Sequence, residues 1–385
     1  MVSIAFTGGG TGGHIYPGLA IASFLKKLLP HRIFWIGSSS GLDREIVESA
    51  GIEFFGIPSG KLRRYFSPQN VSDVFKIGAG FFAARKILKR EGVRFLFSKG
   101  GFVSVPPCAA AKSLNIPVFT HESDFSPGLA TRINSRFAEK IFIPYRESAA
   151  FFSGQAVEKI RVSGNPIREE FSSADPLKGR AFLGLGNDER ILLVLGGSLG
   201  SREINSLVRA CLPQLTKYYT VVHQTGEINA TEVSAPIERY KPYTYFRDEI
   251  PHIIAAAELV LCRSGAGTIW ECKYLNKPMV LIPFRGSGTR GDQVENARLF
   301  QEAGAALCFI PDSSLEESVS AERLSSIIIS LAENADRRKA MGEAKIVKQA
   351  NVESEDSGEE SSAAGFIAME IFSRIEKMEL RSENG

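Results

Sequence analysis

Acid is missing from the start of this chain: the first carboxylate among its 385 residues is Asp43. Cysteine is scarce as well. The five present (Cys108, Cys211, Cys262, Cys272 and Cys308) are odd in number and form no C-x-x-C pair, which argues against a disulfide framework or a structural zinc site and fits a reducing compartment. No stretch approaches the roughly 18 uninterrupted apolar residues of a membrane span, and the opening MVSIAFTGGG has no basic n-region. Neither a spanning helix nor a secretory signal is therefore expected. Net charge is small too: 46 bases against 43 acids leave +3, too little for whole-chain affinity for nucleic acid, and no nucleic-acid partner is expected. What is present is the composition of a folded globular protein, 44% hydrophobic and 23% charged. At roughly 150 residues per domain, the length suits two or three cores.

Short β-rich runs alternate with helix-length segments almost throughout, the pattern of βαβ units in parallel sheets. The first series of strands is Val2–Thr7, Arg32–Ile36, Val93–Phe97, Pro117–Thr120 and Lys140–Ile143. The second is Ile191–Leu195, Thr220–Gln224, Leu259–Cys262, Pro278–Ile282 and Ala305–Ile310. Each series opens alike, with a buried strand running into glycines and then a helix: IAFTGGGTGG at Ile4–Gly13 and LLVLGGSLGS at Leu192–Ser201. The expected fold is α/β, with two doubly wound, Rossmann-like domains. Gly164, Asn165 and Pro166 interrupt the periodicity between the series. That sets an N-terminal domain at 1–163, a C-terminal domain at 164–350 and a terminal helix within 351–385. The last stretch carries nine acids against three bases, while Phe366, Met369, Ile371, Phe372 and Ile375 recur at helical spacing, as in an amphipathic helix packed on the body.

Gly8, Gly10 and Gly13 satisfy G-x-G-x-x-G after a strand, the mark of a dinucleotide fold. A dehydrogenase of that type also needs an acid at the end of its second strand, about 20 residues on, to hold a ribose hydroxyl. Asp43 comes seven residues past Ile36, so the dehydrogenase reading lacks its partner. Two readings stay open: a loop free of side chains whose N–H groups, with the dipole of a helix beginning near Gly18, approach an anion, or a tight structural turn. His14 follows directly, at the carboxyl end of the first strand, where ligands of open α/β sheets bind. A neutral imidazole there can accept a proton from a sugar hydroxyl, although a lone histidine is also a common structural residue.

In the second series, CRSGAGTIWE at Cys262–Glu271 reads as a strand end, a glycine loop through Gly265, Ala266, Gly267 and Thr268, and a helix with Glu271 in its first turn. Backbone N–H groups there can cradle a diphosphate, and Glu271 is placed to accept vicinal ribose hydroxyls; its alternative is an acid that only stabilises the helix dipole. Ser198 is either a second phosphate donor or an N-cap. Further on, RGSGTRGDQVEN at Arg285–Asn296 brings Asp292 and Gln293 to a helix start. Those residue types read sugar hydroxyls, or the segment is only a loop.

Taken together, these residues resemble the MurG glycosyltransferases, which add N-acetylglucosamine to a lipid-linked muramyl pentapeptide in peptidoglycan synthesis. The resemblance covers about residues 4–350 and rests on GGGTGGHIYPGLA (Gly8–Ala20), KGGFVSVPP (Lys99–Pro107), HESDFSPGLATRIN (His121–Asn134), GNPIR (Gly164–Arg168), GGSLGSREIN (Gly196–Asn205), CRSGAGTIWE and GDQVENA (Gly291–Ala297). It implies a fold of the GT-B type, two Rossmann-like domains facing across a cleft, with the final helix crossing back to the first domain. It also implies that Thr11, Gly12 and Gly13 lie against the donor, that Arg168 and Ser198 touch the nucleotide, that Glu271 holds the ribose and that Gln293 meets the transferred sugar. The uracil is implied to lie against the backbone near Phe246 and Arg247. No cofactor and no metal are called for. Four positions depart from the family pattern: Ser98 replaces the first glycine of its second loop, Asp124 replaces the asparagine of H-E-x-N that touches the donor sugar, Arg247 replaces an apolar residue, and the Arg285–Gly291 loop is longer.

The activity implied is inverting transfer from UDP-N-acetylglucosamine to the 4-hydroxyl of undecaprenyl-diphospho-N-acetylmuramoyl-pentapeptide, with His14 as candidate base and Glu122 as runner-up. A transferase with another lipid acceptor and a sugar-nucleotide 2-epimerase are the rivals. A lipid-borne acceptor implies a peripheral protein on the cytoplasmic side of the plasma membrane. Between Lys61 and Arg90, eight bases, among them Arg63, Arg64, Arg85 and Lys86, stand against one acid, Asp73. Tyr65, Phe66, Phe75, Ile77, Phe81 and Phe82 are interleaved with them. Such a surface suits anionic lipid, the alternative being core phenylalanines beneath a solvated basic face.

Overall fold

The computed structural model describes residues 2–10, 12–28, 31–41, 43–60, 69–197, 200–226, 237–286, 291–312, 314, 316–346 and 362–383. The chain divides into two units, residues 1–168 with 349–385, and residues 169–348. The first holds seven parallel strands: β1 (Ser3–Thr7), β2 (Arg32–Ser38), β3 (Glu53–Ile57), β4 (Val93–Ser98), β5 (Val118–His121), β6 (Lys140–Ile143) and β7 (Ile160–Val162), in the order β3-β2-β1-β4-β5-β6-β7. Strand order reverses between β1 and β4, which opens a crevice at their carboxyl ends. Phe6, Trp35, Phe95, Phe97, Phe119 and Phe142 are buried because helices cover both faces of the sheet. On one face the helices Tyr16–Leu28 and Ala363–Glu383 share a core, to which the C-terminal helix brings Ala364, Ile367, Ala368, Ile371 and Ile375. That helix is further tied down by Arg374 on Glu139 at 2.7 Å and by Glu370 on Lys140.

The second unit holds six parallel strands: β8 (Ile191–Leu195), β9 (Thr220–Gln224), β10 (Tyr240–Tyr243), β11 (Leu259–Cys262), β12 (Met279–Leu281) and β13 (Ala306–Cys308). Their order, β10-β9-β8-β11-β12-β13, puts the reversal between β8 and β11. Every residue of β8 and β11 is buried, the signature of strands covered on both faces. The two doubly wound sheets read from the sequence are therefore present.

Three strands were not read from the sequence: β3, β7 and β10. All three lie at sheet edges, and each mixes buried or half-buried positions with exposed ones instead of forming a continuous apolar run. Among the described residues no helix is long and apolar enough to cross a membrane.

Candidate active site

At the reversal point of the first sheet, the loops after β1, β4 and β5 meet. Asp43, too distant in sequence to read as a partner of the first loop, folds back onto it. Its buried carboxylate accepts from the Gly10 N–H at 3.0 and 3.2 Å and from the Ser38 N–H at 3.3 Å. From the other side the Trp35 indole donates to the Gly8 carbonyl at 2.9 Å. A Cβ on Gly9 would lie 2.0 Å from Asp43 Oδ2, and one on Gly10 would lie 2.6 Å from the Phe102 ring. Protein packing therefore requires these glycines, and the Gly10 N–H is spent on Asp43. At Gly9 and Gly10 the structural-turn reading accounts for the glycines. The following helix starts at Tyr16, ahead of the expected Gly18, whose missing side chain makes room for the Trp35 ring: a Cβ there would stand 2.6 Å from it.

His14 closes the short turn Gly12–His14 and is half-buried. Its ring rests on the second loop, where a Cβ on Gly101 would stand 3.1 Å from Cδ2 and one on Gly100 3.9 Å from Nδ1. Those two glycines have φ of 77° and 84°, a region that disfavours other residues. Ser98, standing where the family pattern has a glycine, is put to use: its hydroxyl accepts from the Gly100 N–H at 3.2 Å and from the Asn134 amide at 3.1 Å. Asn134 also donates to Ser104 Oγ at 2.8 Å, so the third motif fixes the second loop. Thr11 lies outside the described residues.

Glu122 is buried, and its carboxylate accepts from the N–H groups of Ser123 (2.8 Å), Asp124 (3.2 Å) and Gly128 (2.9 Å). Burial alone would raise its pKa, yet the Lys99 charge, the Thr131 hydroxyl and those N–H groups hold it below the ordinary range. A carboxylate so engaged holds the 122–128 turn and is poorly suited to accept a proton, which counts against Glu122 as the base. Lys99, fully buried, donates to Ser123 Oγ at 2.7 Å; burial pushes its pKa down to about 8 against the opposing pull of Glu122 and Asp124. His121 is buried with Nε2 on the Gly164 carbonyl at 3.1 Å, and burial together with the Lys99 charge keeps it neutral. Asn165 donates to the Ser123 carbonyl at 2.9 Å. Arg168 stacks 4.9 Å over the Tyr16 ring.

In the second unit a cavity of about 820 Å³ opens at the carboxyl ends of β8, β11 and β12, lined by Gly196, Gly200, Ser201, Arg202, Glu203, Arg263, Phe284, Arg285, Gly286 and Gln293. Arg263 is its fixed cation. Its guanidinium donates to Ser201 Oγ (2.6 Å), Glu203 (2.7 Å) and the Ile282 carbonyl (3.1 Å), and lies 5.5 Å over the Phe284 ring. Ser201 caps the helix Arg202–Leu215 by accepting from the Ile204 N–H at 3.2 Å. Three arginines against one glutamate, beside that helix start, suit an anionic group.

Beyond β11, Ser264 Oγ donates to the Gln293 carbonyl (2.7 Å) and Asn296 donates to the Ser264 carbonyl (3.2 Å), fixing the loop that starts the helix Ala266–Tyr274. Among the described residues, a Cβ on Gly265 or Gly267 would meet nothing within 4 Å, and Gly265 has an ordinary φ of −67°. Neither packing nor backbone demands glycine there; the space beside this helix start is left open. Glu271 falls in the second helical turn, not the first, which removes the dipole reading, since that effect fades beyond the first turn. Asp292 begins the helix Asp292–Glu302, and Gln293 lines the cavity while its side-chain oxygen accepts from the Phe284 N–H at 3.0 Å. The backbone donors expected to meet a uracil are engaged within the protein: the Phe246 N–H on Gln224 at 3.0 Å and the Arg247 N–H on Glu249 at 3.2 Å. Gln224 also donates to the Gly197 carbonyl at 3.1 Å, bridging two loops. Ser198 lies outside the described residues.

Asp43, Lys99, Gln224 and Arg263 carry no role that the sequence alone reveals. Three of them share a signal: Gln224 ends β9, and Lys99 and Arg263 are the first residues after β4 and β11. A polar side chain at a strand's carboxyl end, beside the reversal point, is the position where such sheets build their sites. Asp43 carries no such mark.

Residues 4–143 match the glycosyltransferase family 28 N-terminal domain, and residues 191–356 match the glycosyltransferase family 28 C-terminal domain. A curated relative from Treponema denticola, named UDP-N-acetylglucosamine–N-acetylmuramyl-(pentapeptide) pyrophosphoryl-undecaprenol N-acetylglucosamine transferase, is 49% identical over 325 residues, 80% of this chain and 83% of its own. One of the same name from Shouchella clausii is 42% identical over 322 residues, covering 84% and 90%. Among solved structures, Acinetobacter baumannii MurG superposes with a TM-score of 0.66 at 23% identity, covering 89% of this chain and 94% of its own. A UDP-GlcNAc 2-epimerase from Neisseria meningitidis reaches the same TM-score at 12% identity, covering 98% and 100%. At such identities the two structures share the fold.

Proposed function

The chain belongs to glycosyltransferase family 28, and from that premise we propose that it transfers N-acetylglucosamine from UDP-N-acetylglucosamine to the 4-hydroxyl of undecaprenyl-diphospho-N-acetylmuramoyl-pentapeptide, converting lipid I to lipid II with inversion at C1. The observation that carries the site is the open space over Gly265 and Gly267 at a helix start, close in sequence to Arg263. The donor diphosphate occupies that space, with Ala266 and Thr268 in the same turn. Glu271 accepts the ribose hydroxyls, Asp292 and Gln293 read the transferred sugar, and the turn at Phe246 and Arg247 borders the uracil. Thr11, Gly12, Gly13, Asp124, Arg168 and Ser198 keep the donor contacts that the resemblance implies.

The reaction is a single displacement. The acceptor oxygen attacks C1 as the bond from C1 to the diphosphate breaks; the hydroxyl proton passes to the His14 imidazole, and N–H groups with nearby arginines meet the charge on the leaving group. Support for His14 is its seat on the glycines of the second loop, which fixes the ring at the β1–β4 reversal point.

The acceptor lipid brings the protein to the cytoplasmic face of the plasma membrane as a peripheral partner of anionic lipid. We place that contact on the helix Gln69–Arg90. There Phe75 and Phe82 are 75% and 70% exposed, with Lys76, Arg85, Lys86 and Lys89 exposed around them, so these two phenylalanines are not core. Arg63 and Arg64 lie outside the described residues.

The test is incubation with UDP-N-acetylglucosamine with and without a short-chain lipid-linked muramyl pentapeptide. UDP release that depends on the acceptor is expected. Epimerisation of the donor without acceptor would replace this function with the 2-epimerase one.

A further inference from the structure

The charge pattern of the first unit's crevice contains a cation that the reaction scheme leaves unused. Lys99 follows β4, its N–H donates to the Thr7 carbonyl at 2.8 Å, and its side chain runs inward at 1% exposure to end on Ser123 Oγ at 2.7 Å. An ammonium taken out of water costs several kcal/mol unless carboxylates answer it. Two act on it, Glu122 and Asp124, from the same turn. Glu122 already shares its charge among three backbone N–H groups. Asp124 stands where the family resemblance has a neutral asparagine, so this turn carries one negative charge more than the pattern requires. Without a cation, two carboxylates two residues apart would repel in a partly buried site.

We propose that Lys99 is a positioning residue of the transfer reaction, the counter-charge that lets an aspartate serve at position 124 and keeps the 122–128 turn in its working shape. Lys99 and Asp124 thus form a charged pair, and one member is useful only with the other. This rests on the transferase reading and on Asp124 meeting the transferred sugar.

Titration gives the pair a second signature. The groups brought against Lys99 are Glu122 and Asp124 from the turn, His121 at the end of β5, and the first loop with His14, whose carbonyl oxygen and Lys99 Cβ both border Gly8. Burial lowers the Lys99 pKa to about 8 despite the carboxylates. As pH rises through that value the cation is lost, the two carboxylates face each other, and the rate should fall.

The experiment compares wild type, K99M, D124N and K99M/D124N in acceptor-dependent UDP release, with UDP affinity by calorimetry as the control on the second unit. Coupled neighbours commonly differ by about tenfold or more when one is removed. K99M is expected to lose at least about tenfold in kcat/KM, and K99M/D124N to return to within about threefold of D124N. The alkaline limb near pH 8 should be present in wild type and absent from the double variant. Wild-type activity in K99M overturns the proposal, as does a double variant as poor as K99M, or a limb that persists unchanged in it. Should K99M alone not fold, a folded and active double variant supports the proposal, and an unfolded one overturns it. A wild type that binds UDP but transfers nothing to the lipid acceptor defeats the transferase reading instead.

Discussion

Gly265 and Gly267 differ from Gly9 and Gly10 in what a methyl group would strike: open space at the first pair, Asp43 and Phe102 at the second. In the sequence both loops could read as anion sites, because a pattern of glycines records that side chains are unwelcome and not what excludes them. Gly267→Ala should therefore leave folding intact, raise stability by about 0.4–1 kcal/mol through the unfolded chain, and still weaken UDP binding about tenfold or more. Calorimetry together with thermal melting checks both signs; a variant that binds UDP normally would empty the proposed cradle. Glu271→Ala should cost roughly 1.5–3 kcal/mol of UDP affinity, since a charged acceptor of ribose hydroxyls is lost. His14→Ala should slow transfer by roughly 10²–10⁴-fold with donor affinity held within a few-fold, because help from a base is felt in the transition state. If affinity fell as far as the rate, His14 would belong to donor binding.

At the scale of elements, legibility followed burial. Strands such as β8, buried at every position, announce themselves by composition, and β8, β9 and β11 were read to the residue. The edge strands were missed because half-exposed residues, with Gly56 in β3 and Pro242 in β10, write no continuous pattern. The carboxyl-end loops were located from sequence, but not the side chains reaching them across the sheet: Asp43 is 33 residues from Gly10 and Asn134 is 36 from Ser98, and no local spacing encodes such pairs. The helix Gln69–Arg90 was ambiguous in the same way, since helical spacing cannot say which phenylalanines face solvent. With Phe75 and Phe82 exposed, exchanging Phe75, Phe82, Arg85 and Lys86 for Glu should abolish sedimentation with anionic vesicles, each base contributing about 1 kcal/mol. UDP binding should survive. Equal vesicle binding by wild type and variant would remove this helix as the lipid contact.

At the scale of the whole molecule, the two units own separate cores. Those of the first combine residues from Val2 to Val162 with the C-terminal helix, and that of the second runs from Leu192 to Met341. Cores that share no residues give no reason for a single cooperative transition, and multi-domain chains commonly depart from two-state unfolding. Thermal unfolding should show two transitions. A ligand that binds one native unit stabilises that unit alone, by about 2.7 kcal/mol at a hundred times its Kd. Most of the proposed nucleotide contacts lie in the second unit, so UDP should raise chiefly that unit's transition, and Glu271→Ala should cancel the shift. Truncation before Ser362 should do the reverse. It strips Ile367, Ala368, Ile371 and Ile375 from the first unit's core and should lower the other transition. Differential scanning calorimetry of the four combinations, full-length and truncated chain with and without UDP, separates the two effects. One transition that both UDP and the truncation displace as a whole would contradict independent unfolding of the two units; UDP raising chiefly the transition that the truncation lowers would contradict the assignment of the nucleotide to the second unit.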